Sequence, residues 1–252
     1  MDTSNLNNSK DECDRLRKEL GDVRDQLERA DVEFEEFVSR AAHNLRQSLR
    51  EVSSFSQLIA ENYAAVLDSE GTLFLRKLQE GAGSAQSLLA DVVDYWATGP
   101  GERQFSRTDM ENVLRQAMLY AEKQIAETSA AFTHDPLPAV MGDFELLTKV
   151  LHHLIKNAIE YCSAPAPRIH VSAVRADLDW VISVEDNGPG IEPAMQSRVF
   201  QAFRRLHGAD YPGNGLGLAF CKKAIEGQGG QIWVESRPGT GSKFYFRLPA
   251  VD

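Results

Sequence analysis

The chain of 252 residues has little of what several protein classes require. It has three cysteines, Cys13, Cys162 and Cys221, an odd number with no CxxC pair. That argues against a disulfide framework or a zinc site and fits a reducing cytoplasm. Basic residues are outnumbered: 27 Lys and Arg stand against 37 Asp and Glu, a net charge of −10. Nucleic-acid binders carry a basic face, so that class is disfavoured. No apolar run approaches the roughly 18 residues that span a bilayer. The opening "MDTSNLNNSKDECDRLRKEL" is polar and acidic, the reverse of a secretory signal. Also missing are GxGxxG directly after a first strand and a GxxxxGKS or GxxxxGKT phosphate loop, so neither standard nucleotide fingerprint applies.

What the sequence does have is enough hydrophobic and charged material, 42% and 25%, to fold. Behind a frayed tail at residues 1–10, apolar positions run Leu16, Leu20, Val23, Leu27, Ala30, Phe34, Phe37, Ala41. Steps of four and three make a heptad seam and predict a coiled-coil helix. After Ala41 the phase slips, to Leu45, Leu49 and Val52, which lets a helix continue while its packing partner changes. His43 lies in this slipped stretch, "AAHNLRQSLR". At about 100° per residue, Ala41, Leu45, Leu49 and Val52 fall roughly 160–240° around from it. They form the expected buried face, so His43 should point to solvent with Gln47 and Arg50 beside it. Geometry alone leaves two readings: an idle surface histidine, or one exposed for modification.

A second helix is expected from Ser69 to Ala97, its apolar side supplied by Leu73, Leu78, Leu89, Val93 and Trp96 among others, after a turn at "LDSEG". The pair would form an αα-hairpin, and two copies a four-helix bundle, which predicts a homodimer. "ATGPGERQ" reads as a linker. Beyond it the texture changes. "DFELLTKVLHHLIKNAIEYC" is a helix capped by Asp143, and "RIHVSAVRADLDWVISVEDN" is two strands around Asp177–Asp179. "GLGLAFCKKAIEGQGG" becomes helical after its glycines, and "QIWVESRPGTGSKFYFRLPA" is a hairpin. The expected class is α+β: residues 1–33 tail and coiled coil, 34–97 helical hairpin, 98–103 linker, 104–252 a mixed α/β domain.

Two glycine motifs stand out. "VEDNGPGI" is a strand running into Gly188 and Gly190 with Asp186 before them, and "GNGLGL" opens a helix with Gly213, Gly215 and Gly217 around Leu216. Glycines let backbone approach a ligand, and a helix start offers free N–H groups to phosphate. Either motif alone is weak. Asn157, on the polar side of its helix, could offer an oxygen to a hard cation such as Mg²⁺, or could be a solvent-facing residue.

Taken in order, these elements resemble the core of sensor histidine kinases. "HHLIKNAIEY" is similar to the N box, "EDNGPGI" to the first glycine box, "VFQAFRRL" to the F box and "GNGLGLAFCK" to the second glycine box. "AAHNLRQSLR" falls where the phosphoacceptor box belongs, and "FRRLHGADYPGNGLGLAFCK" suggests the phytochrome-like subgroup. The resemblance spans about residues 34–250. It implies an α/β-sandwich ATP-binding domain of the gyrase and histidine kinase type. In it Asp186 accepts the adenine amino hydrogen, Gly188 and Gly190 approach the base, and Asn157 holds Mg²⁺. Gly213, Gly215, Leu216 and Gly217 cradle the phosphates, and residues 192–212 form a lid from which Arg204 or Arg205 offers charge. It further implies phosphoryl transfer from ATP to His43, then to an aspartate on the receiver domain of a response regulator. The coiled coil would relay a signal from an upstream sensor protein or domain.

Three positions depart from the family pattern. Asn44 replaces the usual Asp or Glu after the histidine. An amide can orient the ring but cannot take its proton, so autokinase activity is expected to be weak. Ser48 replaces a proline, which predicts a straighter helix. His153 replaces an asparagine and is a candidate metal ligand better suited to softer ions than Mg²⁺. A weak or inactive relative is therefore a second reading. It would serve as a nucleotide-binding scaffold or a regulator phosphatase, with Gln47 placed to orient a water. A plain ATPase without a histidine acceptor is a third.

Overall fold

A computed structural model describes residues 3–98, 105–162, 166–204 and 213–251. It divides into two compact units, Met1–Trp96 and Ala97–Asp252. Among the described residues no helix is long and apolar enough to cross a membrane.

The first unit is two helices, α1 (Thr3–Tyr63) and α2 (Ser69–Ala97). The break is chemical. Asp68 accepts from the Gly71 N–H through Oδ1 at 2.7 Å, and its carbonyl accepts from the Thr72 N–H at 3.0 Å, so α2 starts capped. The seam on α1 that is covered within the chain consists of Ala42, Leu49, Ser53 and Ser56, with Ser53 Oγ accepting from Gln86 Nε2 of α2 at 3.0 Å. This corrects the expected buried face. Leu45 and Val52 remain 55% and 42% exposed. A hairpin covers only one stripe of each helix, and small side chains let the helices close along it. Of the stripe read from the sequence, Ala41 and Leu49 are half-buried and only Leu45 and Val52 are left outward. Leu16, Leu20, Val23 and Phe37 of the heptad seam are likewise exposed, while Phe34 stands edge-on to Trp96 at 4.7 Å.

The second unit contains β1 (Ser106–Asp109), α3 (Met110–Thr128), β2 (Ala131–His134), β3 (Ala139–Gly142) and α4 (Phe144–Glu160). Then follow β4 (Arg168–Ala176), β5 (Asp179–Asp186), α5 (Pro193–Gln196), α6 (Gly217–Glu226), β6 (Gln231–Arg237) and β7 (Gly241–Pro249). Five strands form one sheet in the order β2-β4-β5-β7-β6, with only β2–β4 parallel, and β1 pairs with β3 separately. The alternation along the strands puts Val171, Ile182, Val184, Phe244, Phe246 and Leu248 on one face, all buried. That face is covered by a helical layer in which α4 packs against both α3 and α6. Leu147, Val150, Leu151, Leu154 and Ile155 of α4 are fully buried. Asp109 and Asp143 cap α3 and α4 through Glu111 N and Leu146 N, and Asp177 takes the left-handed turn between β4 and β5. The expected linker at 98–103 lies, beyond Thr98, outside the described residues.

Candidate nucleotide and phosphoacceptor sites

His43 is exposed on α1. It lines a shallow groove with Gln47, Arg50, Glu51, Ser54 and Phe55, so the three residues placed on one face by angle do share it. Asn44, next to it, is exposed. Ser48 Oγ donates back to the Asn44 carbonyl at 3.3 Å, and the helix continues unbroken through the position where the family carries proline.

In the second unit the sheet ends in a polar row. Pairing puts Asp186 opposite Ser242, and Ser242 opposite Ser236. One pleat inward the same three strands carry Val184, Phe244 and Val234, the apolar floor. Asp186 Oδ1 accepts from the Gly188 N–H at 2.8 Å and the Ser242 N–H at 3.2 Å. Both bonds fall on one oxygen, which leaves Oδ2 without a hydrogen bond among the described residues. Burial raises the Asp186 carboxyl above its ordinary value, and the two N–H groups pull it back in part. Asn187 braces the same loop, accepting from the Arg168 N–H at 2.7 Å and donating to the Ala166 carbonyl at 3.2 Å.

The glycines of the first motif do different jobs. Gly188 is buried, and an added β-carbon there would crowd Asp186 Oδ1 at 2.9 Å. Gly190 has φ +76°, and a β-carbon would sit 2.1 Å from the Arg237 carbonyl oxygen. Its role in the fold is thus to let the loop close onto the β6–β7 hairpin.

The second motif lies against α4. Beside Gly213 stands the Tyr161 hydroxyl, and Gly215, at φ +70°, faces the Arg204 backbone. Leu216 is buried in the core and precedes α6, whose start has no side-chain cap. The first N–H groups of that helix are therefore open to an anion. Arg204 is half-buried, whereas Arg205 and the rest of the expected lid to residue 212 lie outside the described residues.

Asn157 is half-buried in α4, and its side chain makes no hydrogen bond among the described residues. His153, one turn earlier, packs on Phe220 with ring centroids 5.1 Å apart. A β-carbon on Gly217 would come within 3.0 Å of His153 Nδ1, so the imidazole fills the space that glycine leaves. Burial first, then the neighbouring His152, Lys156 and Lys149, drop its pKa from 6.5 to about 3. His153 is therefore a neutral ring at physiological pH. Sequence reasoning missed Glu160, paired with Lys156 at 3.6 Å, and Tyr161, both beside Gly213. It also missed Ser236 and Ser242. The first two lie within the quoted "HHLIKNAIEY", but nothing in that string announces that α4 reaches the glycine loop.

Comparison with known proteins gives a consistent picture. The family model of histidine kinase-, DNA gyrase B- and HSP90-like ATPases matches residues 142–252. Cyanobacterial phytochrome A from Nostoc sp. is 41% identical over 236 residues, covering 93% of this chain and 31% of that protein. Phytochrome-like protein Cph1 from Synechocystis sp. is 37% identical, covering 93% and 32%. The chain thus spans about a third of the length of these curated relatives. Among solved structures, full-length ShkA in complex with AMPPNP matches with a TM-score of 0.68 at 26% identity, over 85% of this chain and 45% of that one.

Proposed function

This chain belongs to the histidine kinases as a phytochrome-like core, and from that premise we propose that it autophosphorylates on His43 from Mg²⁺-ATP. The phosphoryl group then passes to an aspartate on a response-regulator receiver domain. In the first step a P–N bond forms at the His43 imidazole as the bond from the γ-phosphorus to the bridging oxygen breaks, and ADP leaves. Residues 34–97 serve as dimerisation and phosphoacceptor domain, and residues 104–252 as catalytic domain. The cytoplasm is the proposed setting.

The observation that carries the reading is Asp186, held through one oxygen and free at the other, at the end of a sheet whose floor is apolar. A carboxylate so placed is a strong acceptor for the adenine amino group. The residues fit the phosphates as well. Gly213, Gly215 and Gly217 flank the uncapped start of α6, and Arg204 adjoins Gly215. Asn157 would supply an amide oxygen to Mg²⁺, a hard cation that takes oxygen ligands. His153 adds a neutral nitrogen, a donor that favours softer divalent ions. Phosphoryl transfer of this kind depends on positioning and charge neutralisation more than on covalent help from the protein. The outward apolar residues Leu45, Val52 and Phe55 support a homodimer through a four-helix bundle, with the coiled coil relaying a signal from an upstream sensor.

Asn44 favours a second reading. Without a carboxylate beside His43, transfer loses assistance worth about 10²–10⁴-fold. Gln47, in the groove with His43, would then orient a water for dephosphorylating the regulator.

Incorporation of label from γ-labelled ATP with Mg²⁺ tests the proposal on wild type beside His43→Ala. Acid-labile label on wild type alone is expected. No label on either, with ATP still bound, would hand first place to the scaffold or phosphatase reading.

A further inference from the structure

The end of the sheet that carries Asp186 contains a device that no motif describes. Ser236 Oγ makes three contacts: the Ile191 N–H at 2.8 Å, the Gly241 carbonyl at 2.8 Å and Ser242 Oγ at 2.9 Å. A hydroxyl has one proton to give and two lone pairs to receive with. The carbonyl of Gly241 can only accept and the N–H of Ile191 can only donate. The proton of Ser236 therefore goes to Gly241, and Ser242 must donate its own. Every capacity of Ser236 is used.

The Gly241 carbonyl and the Ser242 N–H belong to one peptide plane and point in opposite directions. One end of that plane is held by Ser236, and the other end donates to Asp186 Oδ1. The plane is not in ordinary strand conformation. Gly241 has φ +108°, and a β-carbon there would lie 2.0 Å from the Asp186 carbonyl oxygen. Glycine adopts this φ freely, and Ser236 is the side chain that holds its carbonyl in place. The same hydroxyl ties down Ile191, at the far end of the loop that contains Gly188, the other N–H on Asp186. Gln196 adds a backbone clamp, donating from Nε2 to the Ser236 carbonyl at 2.7 Å and the Ile191 carbonyl at 3.1 Å.

We propose that Ser236 is a positioning residue for base selectivity: by fixing the Gly241–Ser242 peptide and the Ile191 end of the loop, it aims the free oxygen of Asp186 at the exocyclic amine of adenine. The inference rests on the reading of Asp186 as the adenine acceptor. It assigns part of the discrimination between bases to a hydroxyl whose hydrogen bonds are all made within the protein.

The test is equilibrium binding of ATP and of inosine triphosphate, which presents a carbonyl where adenine has its amine, to the full chain. Removing one buried hydrogen-bond centre costs about tenfold in an equilibrium constant. Ser236→Ala should therefore bind ATP about tenfold more weakly and inosine triphosphate within about twofold of wild type, so that selectivity falls. Ser236→Thr, which keeps the hydroxyl, should restore it. In an Asp186→Asn background Ser236→Ala should cost nothing further, because the carboxylate it aims is gone. A Ser236→Ala chain that loses both nucleotides equally, or whose loss adds fully to that of Asp186→Asn, overturns the inference while leaving the nucleotide site standing. A wild-type chain that binds neither nucleotide overturns the site and this inference together.

Discussion

The α/β unit keeps most of its large apolar side chains inside, whereas the helical hairpin carries most of its own on the outside. Phe220, Phe246, Leu147 and Leu151 are at most 2% exposed, while Phe37 and Phe55 are both 66% exposed. In the described part of the hairpin only Ala42, Ser56 and Ala82 are buried. The difference is geometric. A five-stranded sheet with a helical layer brings distant residues of one chain against each other, so a core closes within the unit. Two helices cover one stripe of each other, and the stripes that remain need more helices. The first unit thus leaves apolar stripes that the proposed dimer would cover, and the second is a self-sufficient fold.

That contrast can be broken outright. Putting charge into the outward stripe with Leu45→Glu and Val52→Glu should convert a dimer to a monomer in sedimentation while leaving the second unit folded. An uncompensated buried charge costs about 3–5 kcal/mol, and each protomer would bring two. Unchanged mass would show that the stripe has no partner helices. The converse substitution, Phe246→Ala, should lower the stability of the second unit by about 3–5 kcal/mol without changing the hairpin's association. Asp186→Asn separates function from fold. Its carboxyl is raised by burial, so its contribution favours the fold below the unfolded carboxylate range and is lost as pH rises through the raised value. Once ionised, the buried group is a burden on the fold. Asp186→Asn should therefore leave Tm unchanged or higher while ATP affinity falls about tenfold to hundredfold. A parallel loss of stability and binding would show that the carboxylate is a structural group.

How much of this could be read in the sequence follows the same divide. Local chemistry was legible: the Asp68 break, the Asp143 cap, the Asp177 turn and the β6–β7 hairpin each depend on residues a few positions apart. The stretch carrying β1, α3, β2 and β3 was not. Its strands have four residues each, and α3 exposes Leu119 while its contact face includes the small Ala117 and Ala121, which blurs the period. β2 gains its place only by pairing in parallel with β4. At the site, Asp186 and the glycines announced themselves as a string. Ser236 did not, because its meaning comes from a register that sets it beside Ser242 and Asp186. Nor could His153 be seen to pack on Gly217, a contact across two elements. Gly190 was legible as a glycine but not for its reason, the Arg237 carbonyl.

His153 offers a finer test of the self-sufficient unit. Its pKa is depressed from 6.5 to about 3, so the fold holds the neutral ring. The stability this represents is present above pH 6.5 and is lost as pH falls toward about 3. Between pH 6.5 and 5 the loss amounts to at most about 2 kcal/mol. Thermal unfolding of the second unit should weaken with acid in wild type and distinctly less in His153→Asn. Equal slopes would mean that the ring is accessible to protons in the fold.

The smallest effect distinguishes the units most directly, because it uses the same device in each. Asp68 caps α2 through the Gly71 N–H at 2.7 Å, and Asp143 caps α4 through the Leu146 N–H at 3.0 Å. Replacing either by Ala removes about 1 kcal/mol. In α4 the first turn is tied to a packed core through Leu146 and Leu147, so the loss should be shared by the whole unit and appear as a lower Tm. In α2 the first turn carries no buried residue, and Leu73 beyond it is 42% exposed. There the same loss should stay local, as faster amide exchange at Gly71 and Thr72 with little change in the unfolding midpoint. If Asp68→Ala lowered the midpoint as much as Asp143→Ala, the turn end of the hairpin would be as cooperative as the α/β core, and the contrast between the units would not extend to that end.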